Sequence, residues 1–118
     1  MATVEVNNSR LAVRFSRREK VAGLLRDIEV ARTAVVDVTT EPDGLAAVRG
    51  FRAPGLALPG RRKIGTWRGQ GRRTAVSVTA GQPAVRVRLT GVRYDELLIG
   101  VPDAARTAEE GRTGAGRP

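Results

Sequence analysis

Residues 63–89 read KIGTWRGQGRRTAVSVTAGQPAVRVRL. Apolar and polar side chains alternate through three short runs, Lys63–Arg68, Arg72–Thr79 and Ala84–Thr90. Alternation with period two places successive side chains on opposite faces of a strand, the pattern of a half-buried β-sheet. Gly69-Gln70-Gly71 reads as a three-residue hairpin loop and Ala80-Gly81-Gln82-Pro83 as a second loop. The first loop sets Trp67 opposite Arg73 and Ile64 opposite Val76. The second sets Val76 opposite Val87 and Ala75 opposite Arg88. Both predict the same sorting. Ile64, Thr66, Thr74, Val76, Val78, Val85, Val87 and Leu89 form a core face, and Lys63, Gly65, Trp67, Arg73, Ala75, Ser77, Arg86 and Arg88 form an outer one.

The rest of the chain continues in short segments between turn residues. Thr3–Val6 and Leu11–Phe15 read as strands joined by Asn7-Asn8-Ser9. Ser16 and Glu19 form a capping box ahead of a helix over about residues 17–25. Asp27–Ala31 and Ala34–Thr40 read as strands, and Pro42 opens a one- or two-turn helix ending at Gly50. Phe51–Gly60 reads as a loop whose Phe51, Leu56 and Leu58 lie over the core or meet a partner. Tyr94–Val101 is the last strand, stopped by Pro102. Asp103 caps a short helix over 104–110, and residues 111–118 read as a disordered tail. These elements predict one all-β domain over 1–110 with short helices: an antiparallel barrel or sandwich of about seven to eight strands with a C-terminal helix. The alternative is an α+β domain in which 94–110 form one helix through Leu97, Leu98 and Val101.

Composition supports a packed domain and removes several chemistries. The chain has 118 residues, and Leu, Ile, Val and Phe make up 29 of them, above the fraction typical of disordered chains. It contains neither cysteine nor histidine. Thiolate metal sites, cysteine nucleophiles and the commonest general base are therefore absent. Ser9, Ser16 and Ser77 have no histidine partner, and no phosphate-binding glycine motif is present. The expectation is a non-enzymatic protein with no cofactor and no metal. No apolar run approaches the roughly 18 residues of a membrane span, so the default location is the cytoplasm.

Charge is segregated. The formal net charge is +9. Residues 44–94 carry eleven basic side chains and no acidic one, whereas 1–43 balance and 95–118 are net negative. Segregated charge creates a local field that scattered charge does not. Of the 21 basic residues 19 are arginine, a bias that codon usage in a GC-rich genome also produces. The predicted outer face gathers Lys63, Trp67, Arg73, Arg86 and Arg88 as an anion-binding surface, with small residues at its centre and tryptophan free to stack. The same residues also suit a solvated outer face, with charge reversal at Arg86 and Arg88 nearly neutral for folding. Arg17, Arg18 and Lys20, at the start of the predicted helix, form a secondary anion site.

The order of elements, together with Arg52-Ala53-Pro54-Gly55, Leu58-Pro59-Gly60, Gly65-Thr66-Trp67-Arg68-Gly69 and Pro83-Ala84-Val85, resembles the bacterial pleckstrin-homology-like domains of small actinobacterial proteins. The resemblance covers about residues 2–110. It implies a bent antiparallel sandwich capped by the terminal helix. The basic loop of lipid-binding pleckstrin domains is replaced here by Asn7-Asn8-Ser9, so no phosphoinositide pocket of that kind is implied. The functional expectation is a binding or scaffold module whose basic face meets an acidic phospholipid surface, at the inner membrane face, or an acidic protein patch. Nucleic acid is the alternative partner, and homo-oligomerisation through Phe51–Gly60 stays open.

Overall fold

A computed structural model describes residues 3–7, 9–17, 27–48, 51–58, 62–69 and 71–115, with 51–58 and 110–115 described as backbone. Three short strands, β1 (Thr3–Val6), β2 (Arg10–Arg14) and β3 (Ile28–Ala31), form an antiparallel sheet in that order. The Asn7 side chain shapes the first turn, its Oδ1 accepting from the N–H groups of Ser9 at 2.9 Å and Arg10 at 2.8 Å. A 3-10 turn at Arg32–Ala34 leads into β4 (Val35–Glu41). Then follow β5 (Phe51–Leu58), β6 (Arg62–Gly69), β7 (Arg72–Thr79), β8 (Ala84–Leu89), β9 (Glu96–Gly100) and the helix α1 (Ala104–Ala115). The second sheet has six strands in the order β4-β8-β9-β7-β6-β5. All-β architecture with short helices is therefore correct in outline, and the strand at Leu97–Gly100 excludes the α+β alternative.

Two details of the predicted meander fail, and both have physical causes. The first hairpin turns on two residues rather than three: Gly69 pairs with Arg72, and Gly71 takes the left-handed conformation at φ 74°. Two-residue turns of this kind match the twist of the flanking strands. The register slips by one, so Trp67 lies opposite Thr74 and Arg68 opposite Arg73. The second failure is the position of β9. It inserts between β7 and β8, parallel to the former and antiparallel to the latter. Every residue of β9 is buried, and Leu97-Leu98-Ile99 is apolar on both faces. Such a strand belongs in a sheet interior, not at its edge. Residues 80–83 consequently bridge two strand spacings, about 10 Å, which four residues span easily.

The slip redistributes side chains. One face of the large sheet carries Ile64, Ala75, Val85, Val87, Leu97 and Ile99 and packs against Leu11, Val13 and Phe15. The opposite face carries Trp67, Val76, Val78, Ala84 and Leu98, a second apolar cluster covered by Leu45, Ala47 and Val48. The helix predicted over 42–50 is a single turn at 44–47, capped by Asp43, whose Oδ1 accepts from Ala46 N–H at 3.3 Å. Of the loop predicted over Phe51–Gly60, residues 51–58 form the edge strand β5, with Pro54 at a register shift between Arg52 and Gly55, and 59–60 lie outside the described residues. Proline is tolerated at a bulge on an edge strand because no ladder donor is required there. The helix expected to end at 110 runs on to Ala115, and its Ala104 and Ala108 are buried close against β4.

The covering turn requires glycine at its start. A Cβ on Gly44 would lie 2.8 Å from Ala84 Cβ and 3.1 Å from Val78 Cγ1, both fixed to strands. Gly44→Ala is expected to cost about 1–3 kcal/mol, as overpacking does elsewhere. Urea denaturation followed by the fluorescence of Trp67, the chain's one tryptophan, measures it.

Candidate functional site: the basic end of the β6–β7 hairpin

Lys63, Trp67, Arg86 and Arg88 share one face of the large sheet, but Arg73 lies on the other, beside Arg68. Trp67 is only 4 % exposed. Burying its roughly 150–250 Å² is worth about 4–6 kcal/mol at 25 cal/mol per Å². An exposed cation–π contact is worth about 0.5–1 kcal/mol, so the core wins the side chain. The tryptophan predicted to stack on ligand is structural.

Arg86 is also claimed by the protein itself. It rises from β8 between the buried Val85 and Val87, and its side chain is 11 % exposed. Nη1 donates to Glu96 Oε1 at 2.6 Å, Nε to Glu41 Oε1 at 2.9 Å, and Nη2 to the Ala47 carbonyl at 2.7 Å. Thr74 Oγ1 donates to the second Glu96 oxygen at 3.4 Å. Burial pulls the guanidinium down, but its hydrogen bonds to Glu96 and Glu41, with the charges of both, hold its pKa above the ordinary value. Arg86 therefore ties three elements together: β9 through Glu96, β4 through Glu41, and the covering turn through Ala47.

Arg88, two residues on, is exposed, and Lys63 is half-buried opposite Val78. Neither makes an ion pair among the described residues. The cations that do come together lie at the hairpin end. Arg68 and Arg73 are direct cross-strand partners on one face, while Arg72 and Arg88 line a depression of 170 Å³ on the other, with Leu89, Asp95 and Glu96. Directly opposed side chains in an antiparallel pair have Cβ atoms about 4.5–5.5 Å apart, and like charges there are unfavourable. The nearby Asp95 makes no ion pair with either side chain among the described residues; its carboxylate accepts the Arg73 backbone N–H at 2.8 Å. By contrast, Arg10 is bonded to Glu29 and Arg14 to Glu5.

The remaining expected sites fare differently. Arg17 is exposed, and Arg18 and Lys20 lie outside the described residues. Phe51, Leu56 and Leu58 are strand positions paired with Arg68, Ile64 and Arg62. Among the described residues no group of three or more acidic side chains is placed to hold a metal. A cleft of 480 Å³ lies between β3 and the Val92–Tyr94 segment, where the Arg93 guanidinium sits 5.6 Å above the Tyr94 ring. As an adjacent acidic pair Asp95-Glu96 reads as surface, and nothing in the sequence links Glu96 or Glu41 to Arg86. Their signal is that they flank the acid-free stretch on either side.

No family model matches this chain, and neither a curated protein nor a solved structure matches it. No helix among the described residues is long and apolar enough to cross a membrane.

Removing Arg86 leaves Glu96 buried without its cation. Arg86→Ala is expected to cost about 3 kcal/mol, in the range for breaking a buried pair. Arg88→Ala is expected to stay within about 0.5 kcal/mol, as exposed substitutions do. Urea unfolding midpoints of the two variants test the contrast; the burial and ion pairs of Arg86 run against the expectation that reversal there is neutral for folding.

Proposed function

We propose that this protein is a non-enzymatic binding module whose β6–β7 hairpin end meets an acidic phospholipid surface peripherally, from the cytoplasmic side. The observation that carries this reading is the cluster of Arg68, Arg72, Arg73 and Arg88 at one end of the sheet, none ion-paired among the described residues. A cation near an anionic membrane contributes about 1 kcal/mol, so three or four together give useful but reversible binding. A hairpin end, unlike a concave pocket, can approach a flat surface. Nucleic acid competes for the same charge, but burial of Trp67 removes the stacking platform that single strands favour.

The two-sheet arrangement with a C-terminal helix on β4 supports a pleckstrin-homology-like reading of the fold. The parallel β7–β9 pair counts against it.

Vesicle co-sedimentation tests the surface. Arg72→Glu with Arg73→Glu is expected to weaken binding to phosphatidylserine-containing vesicles at least about 30-fold, from about 2 kcal/mol lost at two positions. Arg10→Glu with Arg14→Glu changes the net charge equally at residues already paired, and should do much less. Equal losses would reduce the effect to net charge. Displacement by single-stranded oligonucleotide but not by vesicles would replace the membrane with nucleic acid.

A further inference from the structure

We infer that Arg68 and Arg73 together form a two-guanidinium fork for a single terminal phosphate, a phosphomonoester, so that the hairpin end discriminates among anionic ligands. The inference rests on the proposed anionic surface and specifies which group on it is gripped. Register places the two arginines opposite one another on the same face, next to the Thr66–Ala75 pair. Arg68 is exposed and Arg73 half-buried at the rim of the main core. Neither side chain has a hydrogen bond or ion pair among the described residues; the Asp95 carboxylate accepts the Arg73 backbone N–H and keeps its charge. The fold therefore carries a like-charge pair that it could have avoided by a single substitution. A bound oxyanion turns that repulsion into attraction on both sides.

The geometry of the donors selects the anion. Each guanidinium presents parallel N–H groups that suit two oxygens of a phosphate at once. A phosphomonoester has three free oxygens and a charge between about −1.5 and −2 at neutral pH. It can engage both forks, sharing one oxygen between them. A phosphodiester has two free oxygens and a single charge, and satisfies one fork. A carboxylate is limited in the same way. Partial burial of Arg73 strengthens the contact, because the local dielectric is lower than in water.

Thermal melts of the full chain in low-salt buffer test the fork, with inorganic phosphate as probe and chloride at matched ionic strength as control. Phosphate is expected to raise the wild-type melting temperature beyond the chloride control. Arg68→Gln is expected to raise it without phosphate, by relieving repulsion, and to abolish the phosphate gain. Arg68→Lys with Arg73→Lys keeps the charge but loses the parallel donors, so the gain should shrink. An equal phosphate gain in wild type, the Gln variant and the double Lys variant would overturn the fork.

A second arm separates the source of the phosphate and the two proposals. Phosphatidic acid vesicles, which display a monoester, are compared with phosphatidylserine vesicles of equal surface charge. Preference for phosphatidic acid, lost in the double Lys variant, supports the fork on a lipid headgroup. Equal binding to both, with no phosphate effect on melting, overturns the fork and leaves the anionic-surface reading intact. A phosphate effect without vesicle binding supports the fork for a soluble phosphomonoester and overturns the membrane.

Discussion

A strand that is apolar on both faces must be covered on both faces, and β9 imposes that condition on the whole domain. Leu97 and Ile99 point into the main sandwich core, where the three-stranded sheet covers them. Leu98 points the other way, to a face that an ordinary two-layer sandwich leaves to water. The chain meets the demand with the 43–48 turn, whose Leu45, Ala47 and Val48 lie over Leu98, Trp67 and Val76. One short turn brings little surface of its own, so its attachment matters. Gly44 allows close approach to β8, and its N–H donates to the Gln82 carbonyl at 3.1 Å. Arg86 holds the Ala47 carbonyl from below. The second core, the turn and the buried arginine are consequences of one inward strand.

Arg86 illustrates how charge can be built into such a face. A guanidinium on a buried sheet face is costly unless its nitrogens find acceptors, and here Nε, Nη1 and Nη2 each do. The stem of the side chain can then pack like an apolar one while the fork joins β8 to β4, β9 and the turn. Replacing the whole set by hydrophobic residues of similar volume need not destabilise the fold. What the ions add is directionality, since a hydrogen-bonded fork accepts one placement of the turn where apolar contact accepts several.

Much of the secondary structure was legible in the sequence because it follows from local alternation. Thr3–Val6 and Arg72–Thr79 match β1 and β7 to the residue, and Ala84–Thr90 matches β8 but for its last residue. Register and strand order were not legible. Gly69-Gln70-Gly71 suits a two-residue or a three-residue turn, and a slip of one moves Val76 and Val78 to the other face without making the pattern less regular. Valine on either face then looks equally satisfactory. The clue lay in Leu97-Leu98-Ile99, a continuous apolar run incompatible with an edge strand. The loop at 51–60 was misread because Pro54 and its glycines argue against a strand, yet a bulged edge accommodates both. For the site, the charge segregation was visible, but its partition was not. Glu41 and Glu96 are distant from Arg86 in sequence: Glu41 reaches it from β4, the direct neighbour of β8, and Glu96 from the inserted strand β9.

The same partition bears on why the hairpin end keeps its arginines. Charged side chains on a β-protein commonly guard open edges against pairing with other chains. That explanation does not reach Arg68 or Arg73. Both sit on interior strands: β6 is bonded to β5 and β7, and β7 to β6 and β9. The open edge at β5 already has Pro54 and an irregular register to blunt it. Solubility in general does not require them either, since the chain keeps a large positive charge without these two. Stability argues against them, because opposed like charges cost free energy in an antiparallel pair. Edge protection, solubility and folding are all served elsewhere, and this opposed placement of two cations is what the proposed phosphate fork rests on.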